Sequence, residues 1–188
     1  MNRRRMMMLQ QKKGFELVYD AASGLLPTEC GWKKIRDESN APLKVVNGIL
    51  EVVAKTPLYL SPDTEQSFTN CSLEVEYSIS AMQGVSLTMN KVAPSVTLSM
   101  SPYANNGIMV FQQWEKPLIR NEAIKIGVDY TAKLEKQGNL VLAFFNGELI
   151  YNGELTGHYS QYLYDFVNVD PNGYNSPIYI KKMVYRGY

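Results

Sequence analysis

The sequence predicts an all-β protein folded as a two-sheet antiparallel β-sandwich of jelly-roll type. Three observations carry that prediction. In residues 68–80, Leu73, Val75, Tyr77 and Ile79 alternate with Ser72, Glu74, Glu76 and Ser78. This is the two-residue period of a strand with one face on a core and one in water. Asn-Gly pairs at 47–48, 106–107 and 146–147 stand between short apolar runs, and Asn-Gly is the strongest short hairpin signal. No stretch carries a sustained helical period. About a dozen antiparallel strands in one domain must split into two packed sheets or close into a barrel, and a jelly roll also limits exposed edges.

Taken in order, residues 1–13 form a basic N-terminal arm with Arg3, Arg4, Arg5, Lys12 and Lys13 around Met and Leu. Its readings are a loose terminus, a segment docking on a partner through those cations and adaptable methionines, and, less favoured, a nucleic-acid contact. Residues 14–188 are expected to be a single domain, long enough to bury about 70% of its extended surface. Phe15–Tyr19 reads as the first strand. Residues 20–42 read as loop with one helical turn, because Ser23-Gly24, Leu26-Pro27 and Gly31-Trp32 punctuate them. A hairpin follows over 43–54, then short strands at 58–60, 68–80, 85–89, 96–100 and 108–114.

Residues 130–155 read as a meander. Tyr130, Ala132 and Leu134 alternate with Thr131, Lys133 and Glu135, Gly138-Asn139 reverses the chain, Leu140–Phe145 returns, and Asn146-Gly147 turns into a third strand. Leu140–Phe145 is apolar on both faces and is expected to be central and covered twice. Residues 155–176 read as irregular and aromatic-rich, and residues 178–185 as a closing strand.

Composition excludes some functions. A net charge of +1 supplies no global field for nucleic acid or anionic lipid. No run approaches the roughly 20 apolar residues of a membrane span. Met6–Leu9 is too short and too quickly followed by glutamines to be a signal peptide, so the expectation is synthesis in the cytoplasm without export, and Asn70-Cys71-Ser72 is a coincidental sequon. Cys30 and Cys71 are too few for a disulfide framework and have no metal spacing, and both are expected reduced.

Several segments together resemble the concanavalin A-like lectin/glucanase superfamily, in particular its laminin-G-like bacterial branch. They are YDAASGLLPTECGW (19–32), VVNGILEVV (45–53), FTNCSLEVEYSI (68–79), YTAKLEKQGNLVLAFFNGELI (130–150) and IYIKKMVY (178–185). The start NRRRMMMLQ resembles the N-termini of small structural proteins encoded by prophages of gut Firmicutes. The resemblance implies a lectin-like sandwich, a glycan ligand, and in some relatives a structural calcium or laminarinase-type catalysis. It also implies assembly with other phage structural proteins through the arm, in a tail or baseplate; a homo-oligomer is left open.

The chemistry is sparse. Laminarinase-type enzymes place acids as E-x-D-x-x-E on one strand, and the counterpart here is Glu74 and Glu76, which share a face but lack the third acid. Solvated outer-face glutamates are the plainer reading. His158 is the only histidine and has no nucleophile motif to serve. Asp170, Asn172 and Asn175 have spacing suited to calcium, yet Pro171 and Gly173 equally mark a turn. Sugar binding needs flat aromatic faces with planar polar partners. Two stretches supply them: Tyr103, Asn105, Asn106, Gln112, Gln113 and Trp114, and His158, Tyr159, Gln161, Tyr162, Tyr164 and Tyr174. Trp32 reads as a core or lid residue. The leading expectation is a non-catalytic carbohydrate-binding or structural module of a phage particle. The alternatives are a free carbohydrate-binding protein and a glycosidase using Glu74 and Glu76.

Overall fold

Alternation and turn chemistry resolve into strands almost throughout. The computed structural model of the chain describes residues 14–37, 40–89, 91–92, 95–102, 107–111, 118–120, 123–154 and 164–188. Fifteen strands lie among them: β1 (Phe15–Asp20), β2 (Trp32–Asp37), β3 (Leu43–Val46), β4 (Ile49–Val52), β5 (Leu58–Pro62), β6 (Asn70–Ile79), β7 (Gly84–Met89), β8 (Val96–Ser101), β9 (Gly107–Phe111), β10 (Leu118–Arg120), β11 (Tyr130–Gln137), β12 (Leu140–Phe145), β13 (Glu148–Glu154), β14 (Asp165–Asp170) and β15 (Ile178–Gly187). Two single 3-10 turns, Ala21–Ser23 and Pro27–Glu29, are the only helical pieces among the described residues.

Asn-Gly turns set two hairpins. Asn47 and Gly48 (φ 51° and 74°) join β3 to β4, and Asn146 and Gly147 (φ 49° and 78°) join β12 to β13. Paired positive φ values define the turn whose twist matches that of its strands. Asn146 also locks the second hairpin to its neighbour: its backbone N–H donates to the Thr131 carbonyl (2.7 Å) and its Oδ1 accepts from the Thr131 N–H (3.0 Å).

All pairings are antiparallel and form two sheets. One runs β13-β12-β11-β6-β15-β4-β3, with β1 also on β15; the other runs β10-β9-β8-β7-β14-β5-β2. β15 is the hub of the first sheet. One edge pairs with β6 over nearly its whole length, while the other pairs with β4 at Ile178–Ile180 and with β1 at Lys182–Gly187. Leu73, Val75, Tyr77 and Ile79 of β6 all face inward and are buried, as the alternation predicts. They meet Val85, Leu87 and Met89 of β7 and Val167 and Val169 of β14 in one shared core. Trp32 is a core residue, 2% exposed.

Three local readings are corrected. β12 is not central: it lies one in from the edge, between β11 and β13. Val141, Ala143 and Phe145 are buried, and the opposite face, Leu140, Leu142 and Phe144, is half-exposed. Residues 32–37, read as loop, form edge strand β2; its Lys-Lys pair and the bulge between Lys34 and Arg36 mask the pattern. Residues 165–170, read as irregular, form β14, which lies inside its sheet between β7 and β5. Only Val167 and Val169 mark its inner face, too few aliphatics for the period to be heard beside Phe166 and the preceding tyrosines.

One end of the core is polar. Asp165 accepts from the Tyr185 hydroxyl (2.9 Å) and from the Lys91 backbone N–H (3.0 Å). The Lys136 amine, on a side chain 1% exposed, donates to the Val92 carbonyl. Buried polar groups are tolerated where such partners exist, and this cluster joins both sheets to the β7–β8 connection. Both cysteines are free thiols.

Candidate ligand face

Because Val167 and Val169 of β14 face the core, Phe166 and Asn168 face outward, and the neighbouring strands follow in register. Asn168 stands opposite Tyr59 of β5 and Ser86 of β7. Ser86 pairs with Ser99 of β8, Ser99 with Met109 of β9, and Tyr59 with Arg36 of β2. Arg36, Tyr59, Asn168, Ser86, Ser99 and Met109 therefore form one row across six strands. Five inter-strand gaps of about 4.8 Å make that row roughly 24 Å long. Phe166, Thr88 and Thr97 begin a second row beside it.

The rows are tied together laterally. The Tyr59 and Phe166 rings stack at 4.4 Å between centroids and 12° between planes. Arg36 donates from Nη1 to the Tyr59 hydroxyl (3.1 Å). The Asn168 amide donates to Ser86 Oγ (3.2 Å), and the Thr88 and Thr97 hydroxyls lie 3.0 Å apart. Asn168 Oδ1 is buried with no partner, and such an acceptor costs about 1–3 kcal/mol until something satisfies it. Short hydroxyls thus lie beside a planar amide, a guanidinium and a stacked aromatic pair, with Ser86, Thr88 and Phe166 only 8%, 6% and 7% exposed. Hydroxyls, amides and aromatic faces are the kinds of group that hydrogen-bond and stack with polyhydroxylated ligands in general.

Most residues picked from sequence are not among the described residues. Tyr103, Asn105, Asn106, Gln112, Gln113 and Trp114, and likewise His158, Tyr159, Gln161 and Tyr162, fall outside the described residues, as do Arg3, Arg4, Arg5, Lys12 and Lys13. Tyr164 and Tyr174 are exposed, but they flank β14 at opposite ends, roughly 20 Å apart at about 3.3 Å per residue, and so make no single cluster. Tyr164 lies under the Lys33 amine, 5.9 Å from its ring centre.

Asp170, Asn172 and Asn175 lie in and around a tight turn. One Asp170 oxygen accepts the Asn172 N–H (2.9 Å), the Asn172 amide donates to the Met82 carbonyl (3.0 Å), and Tyr174 N–H closes a turn on Pro171 (3.0 Å). Asn172 and Gly173 have φ of 48° and 77°, which is turn chemistry. Among the described residues no three His, Cys, Asp or Glu side chains converge as a metal site.

Glu74 and Glu76 share the outer face of the other, eight-stranded sheet. Arg186 Nη1 stands 3.8 Å from Glu74 while its Nε donates to Glu16 (2.7 Å). In register, Glu74 is flanked by Lys133 and Val184, and Glu76 by Thr131 and Lys182. The flanking residues on β6 are Ser72 and Ser78. This is an ion-pair network on a sheet face, in which Glu16 and Glu135 are also bound to Arg186 and Lys133. The signal that would have found the other face is the run of outward Ser and Thr at alternate positions of two successive strands, Ser86 and Thr88, then Thr97 and Ser99.

No protein-family model matches the chain, and no curated protein does. Solved structures do. A carbohydrate-binding module, CBM66, from Bacillus subtilis is 11% identical, with TM-score 0.58, over 81% of this chain and 94% of that one. The carbohydrate recognition domain of Emp46p in its metal-free form is 9% identical, with TM-score 0.64, over 91% and 95%. The carbohydrate esterase vb_24B_21 of the Shiga toxin-encoding bacteriophage phi24B is 12% identical, with TM-score 0.63, over 91% and 97%. At such identities the likeness is one of fold, and it spans nearly the whole of each structure: the chain is a two-sheet antiparallel jelly-roll sandwich.

Proposed function

We propose that the protein is a non-catalytic carbohydrate-binding module whose ligand lies across the strands on the outer face of the seven-stranded sheet. The observation that carries this reading is the row Arg36–Tyr59–Asn168–Ser86–Ser99 across one sheet face. The neighbours in fold support it, since two of the three named above are carbohydrate-binding proteins by name. Glu74 and Glu76, the pair weighed for a glycosidase, sit instead on the opposite sheet, facing Lys133, Lys182 and Arg186.

The setting we propose is a phage or prophage particle, in which the basic arm docks the module on other structural proteins. Support comes from the arm's resemblance to prophage structural proteins and from the bacteriophage origin of one fold neighbour.

Screening the full chain on a glycan array, followed by calorimetry with the best ligand, tests the binding. Asn168→Ala and Tyr59→Ala should each weaken it about tenfold or more, while Glu74→Gln and Glu76→Gln leave it unchanged. Binding that survives both of the first two variants would remove the ligand from this face. Hydrolysis that vanishes in Glu74→Gln would make the protein an enzyme.

A further inference from the structure

The eight-stranded sheet carries a cavity of its own, unconnected with the row described above. It encloses about 330 Å³ and is lined by Asn70, Glu135, Lys136, Gln137 and Tyr188. That volume lies at the lower end of small-molecule sites. Its position follows from register. β11 pairs with β6 so that Gln137 meets Asn70 and Glu135 meets Ser72, with outward side chains on alternate residues. Tyr188 is pinned across the end of this pair by its N–H to the Asn70 carbonyl (2.9 Å), leaving a ring 62% exposed beside the opening.

The lining is preorganised. Gln137 Nε2 donates to Glu135 Oε1 (2.8 Å), Lys133 Nζ holds Glu135 Oε2 (2.7 Å), and Asn70 Oδ1 accepts the Gly138 N–H (3.0 Å). Next to Glu135, Ser72 is 1% exposed and its hydroxyl has no partner. Burial raises the Glu135 carboxyl pKa, but hydrogen bonds from Lys133 and Gln137 and the Lys133 charge outweigh it and hold the group low. It is therefore an anion at neutral pH.

We infer that this cavity is a second binding site, for a neutral sugar or similar polyol, on the sheet opposite the proposed ligand face. A carboxylate and two side-chain amides supply acceptors and donors for vicinal hydroxyls, and the Tyr188 ring supplies the flat apolar surface against which a sugar's C–H face stacks. The Glu135 charge is already engaged by Lys133, so the lining favours neutral hydroxyls, and a uronate or sialate would lose hydration on its carboxylate without gaining the Lys133 partner.

The full-length ¹⁵N-labelled protein would be titrated by NMR with glucose, galactose and N-acetylglucosamine, and in parallel with glucuronate and N-acetylneuraminate, up to tens of millimolar. A neutral probe should shift the amides of Asn70, residues 135–137 and Tyr188. Tyr188→Ala and Gln137→Ala should each weaken that response about tenfold, and Asn168→Ala should leave it unchanged. Absence of shifts at these amides with every neutral probe overturns the site, as does equal binding of the anionic probes or indifference to Tyr188→Ala. Shifts around Asn168 and Ser86 report the other face in the same spectra, so either site is lost without the other.

Discussion

At the scale of single residues, Gly187 carries more than its size suggests. It sits flat under the Phe68 ring, and a Cβ placed there would clash with the ring carbons. Phe68 in turn stacks on Phe15 (5.8 Å) and meets Tyr185 edge-on (6.2 Å). Gly187→Ala should therefore destabilise by about 1–3 kcal/mol, the range for overpacking a well-filled core, read as a lower urea midpoint at unchanged slope. Burial, and after it the Asp165 carboxylate, pushes the Cys71 thiol from 9.0 up to about 12. Burial also pushes Tyr19 from 10.0 to about 12 and raises Tyr77 and Tyr185 further. These are acids whose folded pKa is raised. Their contribution is complete below the unfolded value and is lost as pH rises through the folded one. Lys91 and Lys136, their pKa values lowered by burial, run the other way but are two groups against four. The urea midpoint should fall between pH 9 and about 12, and Cys71→Ala should flatten that fall.

Among elements, the β11–β13 meander is where a turn residue does two jobs. Asn146 adopts the left-handed conformation and clamps Thr131 with both its backbone and its side chain. Asn146→Ala should cost about 1–2 kcal/mol for the conformation alone, and more for the lost acceptor. Asn47→Ala, at a turn with no such clamp, should cost only the conformational part; equal losses at both sites would deny the clamp any value. The meander was legible because its alternation, Gly138 and Asn146-Gly147 all name the same register. β6 was legible for the same reason. β2 and β14 were not: a bulged edge strand bearing Lys33, Lys34 and Arg36 does not alternate, and a six-residue strand with two valines carries too little period to be heard. The candidate face went unseen with them, because Arg36, Asn168 and Phe166 sit on those two strands. Most of the aromatic residues picked from the sequence fall outside the described residues. The acidic pair was read correctly as sharing a face, but which charges surround it depends on β11 and β15, distant in sequence.

For the whole molecule, every strand described begins at or after Phe15, and we propose that the arm adds nothing to the sandwich. Deleting residues 1–13 should shift stability by no more than about 0.5 kcal/mol. It should also weaken association with phage particles in a salt-sensitive manner if the arginines lead the contact. A thermal melt checks the first outcome, and co-sedimentation at two salt concentrations the second. The place of β15 has a further consequence, for the order of events on the ribosome. Residues 178–187 are the shared neighbour of β1, β4 and β6, which are separated from them by roughly a hundred residues or more of earlier chain. Until that segment has emerged from the exit tunnel, three strands already made present bare edges and half a core. Those are the features that make nascent chains stick to one another and recruit chaperones. The sandwich therefore matures in one late step, and a stall or cleavage anywhere before residue 178 should yield an aggregating fragment rather than a smaller fold.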